Sequence, residues 1–425
     1  MEKLLKIWSY KDLRTKILIT LGILLVTRIL AHVPLPGVDI IALRSFFEKN
    51  QIFGLLNMFS GGSMSNFSII LMGVGPYITS SIIFQLLAMV IPKLEELQKE
   101  SEAGQQKIIQ YTRLLTVPLS VIQAYSMLLI LKNQNIIPDW SMIQLATMLI
   151  VTTGGTILLM WLGEIITEKG IGNGVSLIIS IGILAGLPTQ FRNTLSILSL
   201  GDTGKILGII GFGALAIAVV MLIIYMNEGQ RNIPVTYARK VRSGNSSLSG
   251  VDTVLPLRVN TAGVIPIIFA MSILIFPGVV AKFFQSAKTE WLANGATHVE
   301  RFFNNQLYYG IIYFVFVFIF TYFYTSVVFH PDRVAENLQK QGGFIPGLRP
   351  GNETAKYLQR VISRITFAGA LFLAVIAILP FILQSVTNIQ TLTIGGTGVL
   401  IIVAVILETY RQVISQLSVH TYDHY

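Results

Sequence analysis

Long stretches of this chain pass without a single Asp, Glu, Lys or Arg, and that restricts what most of it can fold into. Charge-free runs occupy Leu114 to Leu131, Trp140 to Gly163, Gly170 to Phe191, Ile206 to Asn227, Val259 to Ala281 and Gln306 to Phe329. A helix needs roughly 20 apolar residues to cross the hydrocarbon of a bilayer, so each run reads as one span. Two further runs, Gln51 to Pro92 and Ile365 to Leu407, are about twice that length and must divide. The second divides near Thr387 and Asn388 into two spans. The first divides at Gly61, Gly62 and Ser63 into one span and a piece too short to cross. A first span ending near His32, Val33 and Pro34 brings the total to ten. It follows basic residues like a signal peptide but lacks a small-x-small cleavage site, so it is expected to be retained. With 53% hydrophobic and 12% charged residues, the 425-residue chain carries more apolar surface than a soluble core can use.

The Lys and Arg residues between the runs fall mainly in every second loop. Lys3, Lys6, Lys11, Arg14 and Lys16, then Lys93, Lys99, Lys107 and Arg113, then Arg231, Arg239, Lys240, Arg242 and Arg258, then Arg333, Lys340, Arg349, Lys356, Arg360 and Arg364 fall on one side. The other side holds fewer: Arg44, Lys49, Lys132, Arg192, Lys205, Lys282, Lys288 and Arg301. The positive-inside rule then puts both termini in the cytoplasm. The net charge of +10 is thus explained by topology rather than by a nucleic-acid-binding module, with ribosomal RNA the one partner of that kind left open. Cysteine is absent and the five His are scattered, so no disulfide, thiolate site or metal centre is expected, and no cofactor. No nucleophile, base and orienting group come together in the sequence, so the chain is not read as an enzyme.

Ten spans divide into five and five at the segment between Phe191 and Lys205. Gly73-Val74-Gly75-Pro76 opens the second span of one half, and Gly263-Val264-Ile265-Pro266 opens the second span of the other, in the opposite direction. That is the mark of an inverted repeat or of two independent kinks. Two inner loops, Glu228 to Arg258 and His330 to Arg360, are long and polar. The first alternates as a strand over Ile233-Pro234-Val235-Thr236-Tyr237, turns at Ser243 to Ser249 and returns through Val254-Leu255-Pro256-Leu257, which predicts a protruding hairpin. The second carries Gly342-Gly343, Pro346-Gly347 and Pro350-Gly351 around Arg349, which predicts an ordered turn. Apolar Phe344, Ile345 and Leu348 beside these turns suit a docking surface better than a solvated tether.

Several blocks match one family in order: His32-Val33-Pro34-Leu35-Pro36-Gly37-Val38, Asn57-Met58-Phe59-Ser60-Gly61-Gly62, Met160-Trp161-Leu162-Gly163-Glu164, Gly170-Ile171-Gly172-Asn173-Gly174, Ile345-Pro346-Gly347-Leu348-Arg349-Pro350-Gly351 and Thr354-Ala355-Lys356-Tyr357. The chain resembles the bacterial SecY family of protein-conducting channels over nearly its whole length. The resemblance implies an all-α integral membrane protein of ten transmembrane helices in two inverted, pseudo-symmetric halves of five, residues 1–191 and 192–425. A short re-entrant plug helix lies at about 53–63, and cytoplasmic loops at about 228–258 and 330–360. It implies the bacterial cytoplasmic (inner) membrane, a path for unfolded secretory polypeptide through the centre, and release of signal sequences and transmembrane helices into lipid between spans two and seven. Implied partners are SecE-like and SecG-like small membrane subunits, the SecA motor ATPase, the ribosome, signal sequences, nascent polypeptides and membrane lipid.

Carried over residue by residue, the resemblance places a pore ring at Val74, Ile78, Val175, Ile179, Ile268 and Ile401, all β-branched and aliphatic. A flexible apolar ring that closes by dewetting suits a pore passing many side chains but few ions. The members of the first two pairs are four residues apart, which puts each pair on one helical face. The plug is implied at Phe53, Leu55, Leu56, Met58 and Phe59 with Gly61 and Gly62 as its hinge. The lateral gate is implied at Thr79 and Gln85 against Asn260 and Phe276, with a hydrogen bond between the two amides worth roughly 1 kcal/mol in a membrane. Arg239, Lys240, Arg242 and Arg349 are implied in motor or ribosome docking. The hairpin tip Gly244-Asn245-Ser246-Ser247 departs from the basic tips of relatives, so phosphate attraction there falls to its flanking cations. Gly170 to Gly174 lacks the Lys and Ser or Thr of a phosphate loop and reads as close helix packing. Arg28 is read as snorkelling to the interface, and Glu164 and Glu408 as solvated or paired. A small-solute transporter shares the span count and broken helices but buries ionisable groups near its midplane, which these runs lack. A scaffold without transport would need neither plug nor ring.

Overall fold

The computed structural model describes residues 10–36, 38, 40–49, 54, 56–57, 60–99, 102–134, 136–138, 140–198, 203–237, 251–284, 289–387 and 391–422. In chain order these form α1 (Lys11–Leu30), α2 (Ile40–Lys49), α3 (Gly75–Val90), α4 (Pro92–Lys99), α5 (Glu102–Asn133), α6 (Met142–Lys169), α7 (Gly174–Leu198) and α8 (Thr203–Glu228). Strands β1 (Gln230–Tyr237) and β2 (Val251–Arg258) follow. Then come α9 (Ile265–Phe284), α10 (Glu290–Asn304), α11 (Gln306–Val328), α12 (Pro331–Lys340), β3 (Gly343–Phe344), α13 (Asn352–Thr387) and α14 (Thr391–Tyr422).

By length and composition, five described stretches suffice to cross a membrane: Ala103–Asn133, Met142–Lys169, Leu307–Lys340, Asn352–Leu379 and Gly398–Ser418. Gly75–Val90, Gly174–Pro188, Ile217–Glu228 and Ile265–Leu274 are apolar but shorter. Helix α1 is long enough but carries Arg14, Lys16 and Arg28. The shortening of α3 has a local cause. Ahead of it, residues 60–74 fold as successive turns, because serine and asparagine side chains take the backbone bonds a helix would use. Ser65 N donates to Asn57 Oδ1 at 2.8 Å, Ser63 Oγ to Ser60 O at 2.7 Å and Ser65 Oγ to Gly62 O at 2.9 Å. Phe67, at φ 46°, is held in the left-handed region by complete burial in the surrounding core.

The described helices expose large apolar side chains along their flanks: Leu21, Leu25 and Ile29 on α1, Leu114 and Ile122 on α5, and Ile150 and Trp161 on α6. Surface of that extent is stable against lipid, not water. Several hydroxyls in the spans bond back to their own helix, as in Thr152 Oγ1 to Met148 O and Thr325 Oγ1 to Thr321 O. The chain is a multi-pass membrane protein.

Two compact units emerge. One comprises Met1–Gly211, Met271–Gly310 and Pro380–Tyr425. Its helices approach closely where small residues face each other, which substitutes in lipid for the hydrophobic drive of water. A Cβ on Gly155 of α6 would meet Ile69 O, and one on Gly174 of α7 would meet the carbonyl of Gly163. Ser80 on α3 donates to Thr112 O on α5 at 2.7 Å, a buried bond between helices. A core of Leu43, Phe47, Phe67, Leu71, Leu128 and Leu131 fixes the 60–74 turns against α2 and α5.

The other unit comprises Phe212–Ala270 and Ile311–Leu379. Here β1 pairs antiparallel with β2 in the register Ile233↔Leu255 and Val235↔Thr253, so the predicted hairpin is present. The same strand pairs on its other edge with β3, Thr236↔Phe344, giving the order β2-β1-β3. Ile233 and Val235 alternate into a core with Leu257, Leu338, Ile345 and Leu358. The turns between α12 and α13 hold Gly342, Gly347 and Gly351 at φ between 72° and 98°, which explains the glycines there.

Candidate functional site

The first unit encloses an apolar cavity of about 450 Å3. Its wall brings together Leu56, Val74, Ile78 and Thr79 with Met64 and Met72. The backbone before α3 sets this up. Gly73 takes φ 57° and approaches residue 60 so closely that a Cβ would stand 2.9 Å from Ser60 Cα. Val74 follows as N-cap, its carbonyl accepting from Ile78 N at 3.1 Å, with Pro76 in the first turn. Val74 and Ile78 are 2% and 7% exposed and share one face of the helix start.

Val74 also lines a smaller void of about 20 Å3, with Gly61, Gly73, Arg28, Ile178 and Gly182. Here the structure departs from the sequence reading of Arg28. Its guanidinium turns inward, and Nη1 donates to Gly61 O at 2.8 Å. Gly61 takes φ 71°, and a Cβ on Gly182 would stand 2.5 Å from Gly61 Cα. The turn at residues 61–62 is therefore clasped between α1 and α7. On α7, Ile178, Ile181 and Gly182 line this void together with Val74, and Val175 and Ile179 are not among its lining residues. Val175 is half-buried against Gly163 of α6, where a Cβ would meet its Cγ2 at 3.2 Å. Ile179 and Ile401 are buried at 1% and 0% exposure on α7 and α14, which pack together. Ile268, in the other unit, is buried in the first turn of α9. There Gly263 takes φ 63° and Val264 O accepts from Ile268 N at 3.3 Å, the local geometry seen at Gly73 and Val74. Ile178 and Gly182, four apart on α7, both line the void that holds Gly61, a spacing legible in the sequence.

Of the plug positions, Leu56, Gly61 and Gly62 are described, and Phe53, Leu55, Met58 and Phe59 lie outside the described residues. At the gate positions, Thr79 Oγ1 donates to Gly75 O at 3.1 Å and Gln85 Nε2 to Ser81 Oγ at 3.2 Å. Asn260, 9% exposed, donates through Nδ2 to Asn227 Oδ1 at 2.8 Å. Each amide thus bonds to a partner within its own compact unit. Gln85 Oε1 and Asn260 Oδ1 are buried without a hydrogen bond among the described residues. The Phe276 side chain lies outside the described residues, as do Arg239, Lys240 and Arg242.

Arg349 lies in the turn between β3 and α13 and is exposed. Its backbone carbonyl accepts from Thr354 Oγ1 at 3.0 Å, which anchors the loop to the first turn of α13. Next to this turn, α12 carries the Glu336–Lys340 pair at 2.7 Å, whose hydrogen bond and charge hold the Glu336 carboxyl below the usual carboxylate range. Elsewhere on the polar rim, Glu164 receives Arg113 Nε at 2.8 Å, a structural pair linking α5 and α6. The Gly170–Gly174 turn is tied down as close packing requires: Ile171 N donates to Thr20 Oγ1 at 3.1 Å and Gly172 N to Gln412 Oε1 at 2.7 Å.

The SecY family model matches residues 68–410. Protein translocase subunit SecY of Halalkalibacterium halodurans is 44% identical over 427 residues, covering 98% of this chain and 97% of that protein. The subunit of the same name from Mycobacterium tuberculosis is 42% identical over 434 residues, covering 97% and 96%. Among solved structures, a protein conducting channel superposes with a TM-score of 0.66 at 18% identity, covering 95% of this chain and 92% of that one. Sec61 in the canine ribosome-channel complex gives 0.63 with the same identity and coverage, which speaks to the fold. Sequence match across nearly the full length and a shared fold together place this chain in the SecY family.

Proposed function

We propose that this chain is the channel subunit of a protein translocase, passing unfolded polypeptide across a bacterial cytoplasmic membrane and releasing signal sequences and transmembrane helices sideways into lipid. Family membership supports the transport class. The observation that carries the mechanism is the apolar cavity whose wall joins ring candidates Val74 and Ile78 to gate candidate Thr79 and plug candidate Leu56. An aliphatic constriction excludes ions by dewetting and yields to side chains of many shapes. The ring in this reading is Val74, Ile78, Val175, Ile179, Ile268 and Ile401, with Ile178 added because it lines a small void together with Val74. The plug is Phe53 to Ser60 on the Gly61–Gly62 turn. The gate opens between α3 and α9; Gln85 on α3 and Asn260 ahead of α9 each hold a buried acceptor without a hydrogen bond among the described residues, which an entering signal helix can use.

The ten spans form two inverted halves, residues 1–191 and 192–425, supported by the matched backbone turns at Gly73 and Gly263. Both termini and the three-stranded sheet lie in the cytoplasm. Arg349, exposed on an ordered turn, meets SecA or the ribosome there, with Arg239, Lys240 and Arg242 of the hairpin. SecE-like and SecG-like subunits complete the channel. The energy for transport comes from these partners, and the chain is not an enzyme.

The test uses the cysteine-free sequence. A cysteine at Ile78 and another at lipid-exposed Leu114 are each challenged with a secretory precursor arrested midway and carrying one cysteine. Disulfide formation at Ile78 and not at Leu114 is expected. Equal crosslinking at both, or none at Ile78 with the precursor still in transit, would sink the pore assignment.

A further inference from the structure

The loop between α9 and α11 contains a helix that the channel reading does not use. On α10, Trp291, Gly295, Val299 and Phe302 share a sector of about 80° at 100° per residue, and Asn294, His298 and Arg301 fill the next sector of about 60°. Both sectors are exposed, with Trp291 at 73%, Phe302 at 43% and Val299 at 39%, whereas Ala296 on the far side is buried at 7%. The helix therefore rests on the protein along one edge and turns an apolar edge and a polar edge outward, side by side, the polar edge carrying Arg301 with exposed Glu290 at its margin. One residue after it ends, α11 begins, and the Phe302 ring stacks on Tyr308 in the first turn of that helix at 5.2 Å between centroids. Leu307 and Tyr308 are themselves exposed at 64% and 48%. The apolar edge of α10 is thus continuous with the outward surface at the head of an apolar span, and connectivity puts it at the end of α9 and α11 away from the sheet.

We infer that α10 is an interfacial anchor lying in the membrane plane. Its Trp291–Val299–Phe302 edge sinks to the level of the acyl-chain boundary and its Asn294–His298–Arg301 edge sits among headgroups. Aromatic rings with a polar side toward water are the residue types that settle at this depth. The occupant is lipid because the patch runs without a break into the surface of the span itself, and because a strip of Asn, His and Arg side chains beside an apolar one suits headgroups over acyl chains. Such a helix would hold the outer end of α9, one wall of the cavity, at fixed depth.

Single cysteines at Val299 and at Asn294 in the full chain, purified with its membrane partners and spin-labelled in proteoliposomes, test this by power saturation. The label at residue 299 is expected to collide preferentially with oxygen and severalfold less with a water-soluble nickel chelate than the label at residue 294. Nickel collision as strong at 299 as at 294 would put the edge in water and overturn the inference. Protection of residue 299 from both agents would mean that protein covers it, which also overturns it. If the label disturbs the helix, Trp291 emission, isolated by replacing the other three tryptophans with Phe, gives the second reading. Quenching by lipid brominated near the headgroup end of its chains is expected, and no quenching refutes the anchor.

Discussion

Arg28 is the residue whose role changed most between sequence and structure. A lone cation in an apolar span reads as snorkelling, because sequence shows its distance from the interface and not what folds back toward it. The structure supplies the partner, a carbonyl in the turn of residues 61–62. A charged hydrogen bond of this kind contributes about 1.5–3 kcal/mol, so Arg28→Ala should raise the population of released turn by roughly tenfold or more. In planar bilayers the expected outcome is higher resting ion conductance, with Arg28→Lys intermediate because a point charge keeps attraction without the fork. Unchanged conductance in both variants would show that the clasp does not bear on the seal. Gly61 and Gly182 give a second prediction at this scale. Each substitution to Ala forces backbones apart, at Gly61 with an added left-handed penalty. Each is expected to cost about 1–3 kcal/mol, read as a lower unfolding temperature in detergent, and the double variant should cost less than the sum because both relieve the same contact.

Among elements, the hairpin was legible and its third strand was not. Ile233-Pro234-Val235-Thr236-Tyr237 announces a strand by alternation, while Gly343 and Phe344 are two residues whose pairing depends on a partner about 100 positions away. The 42-residue run from Gln51 to Pro92 was legible as apolar and as interrupted, but not as a chain of turns, since that outcome depends on which serine reaches which carbonyl. The gate amides show the same limit: their presence in apolar spans is readable, their choice of Ser81 and Asn227 as partners is not. Leu358, fully buried beneath the sheet, carries the prediction here. Leu358→Ala should destabilise the sheet's packing by about 2–5 kcal/mol. Hydrogen exchange of the β1 amides should accelerate accordingly while those of α5 stay unchanged.

For the whole molecule, composition and charge-free runs were enough to establish a multi-pass membrane protein, and ordered motifs were enough to establish its family. What they could not rank was the depth of each span, because helices such as α3, 16 residues long, fall short of the roughly 20 that a crossing needs. The docking role proposed for the exposed Arg349 is tested at this scale. Arg349→Lys keeps charge and loses the bidentate fork, and motor-driven transport in inverted vesicles is expected to fall severalfold while the protein's thermal stability holds, since the side chain is exposed and the loop is anchored through its carbonyl. Full transport by the variant would assign the turn to structure alone.

The pairing of β1 with both β2 and β3 has a mechanical meaning. Strand β1 continues directly from α8, β2 runs through a short turn to α9, and β3 leads through a glycine-rich turn to α13. A body that grips the hairpin therefore also takes hold of the loop bearing Arg349, and a load applied at either point is shared among three apolar helices instead of peeling one loop from its root.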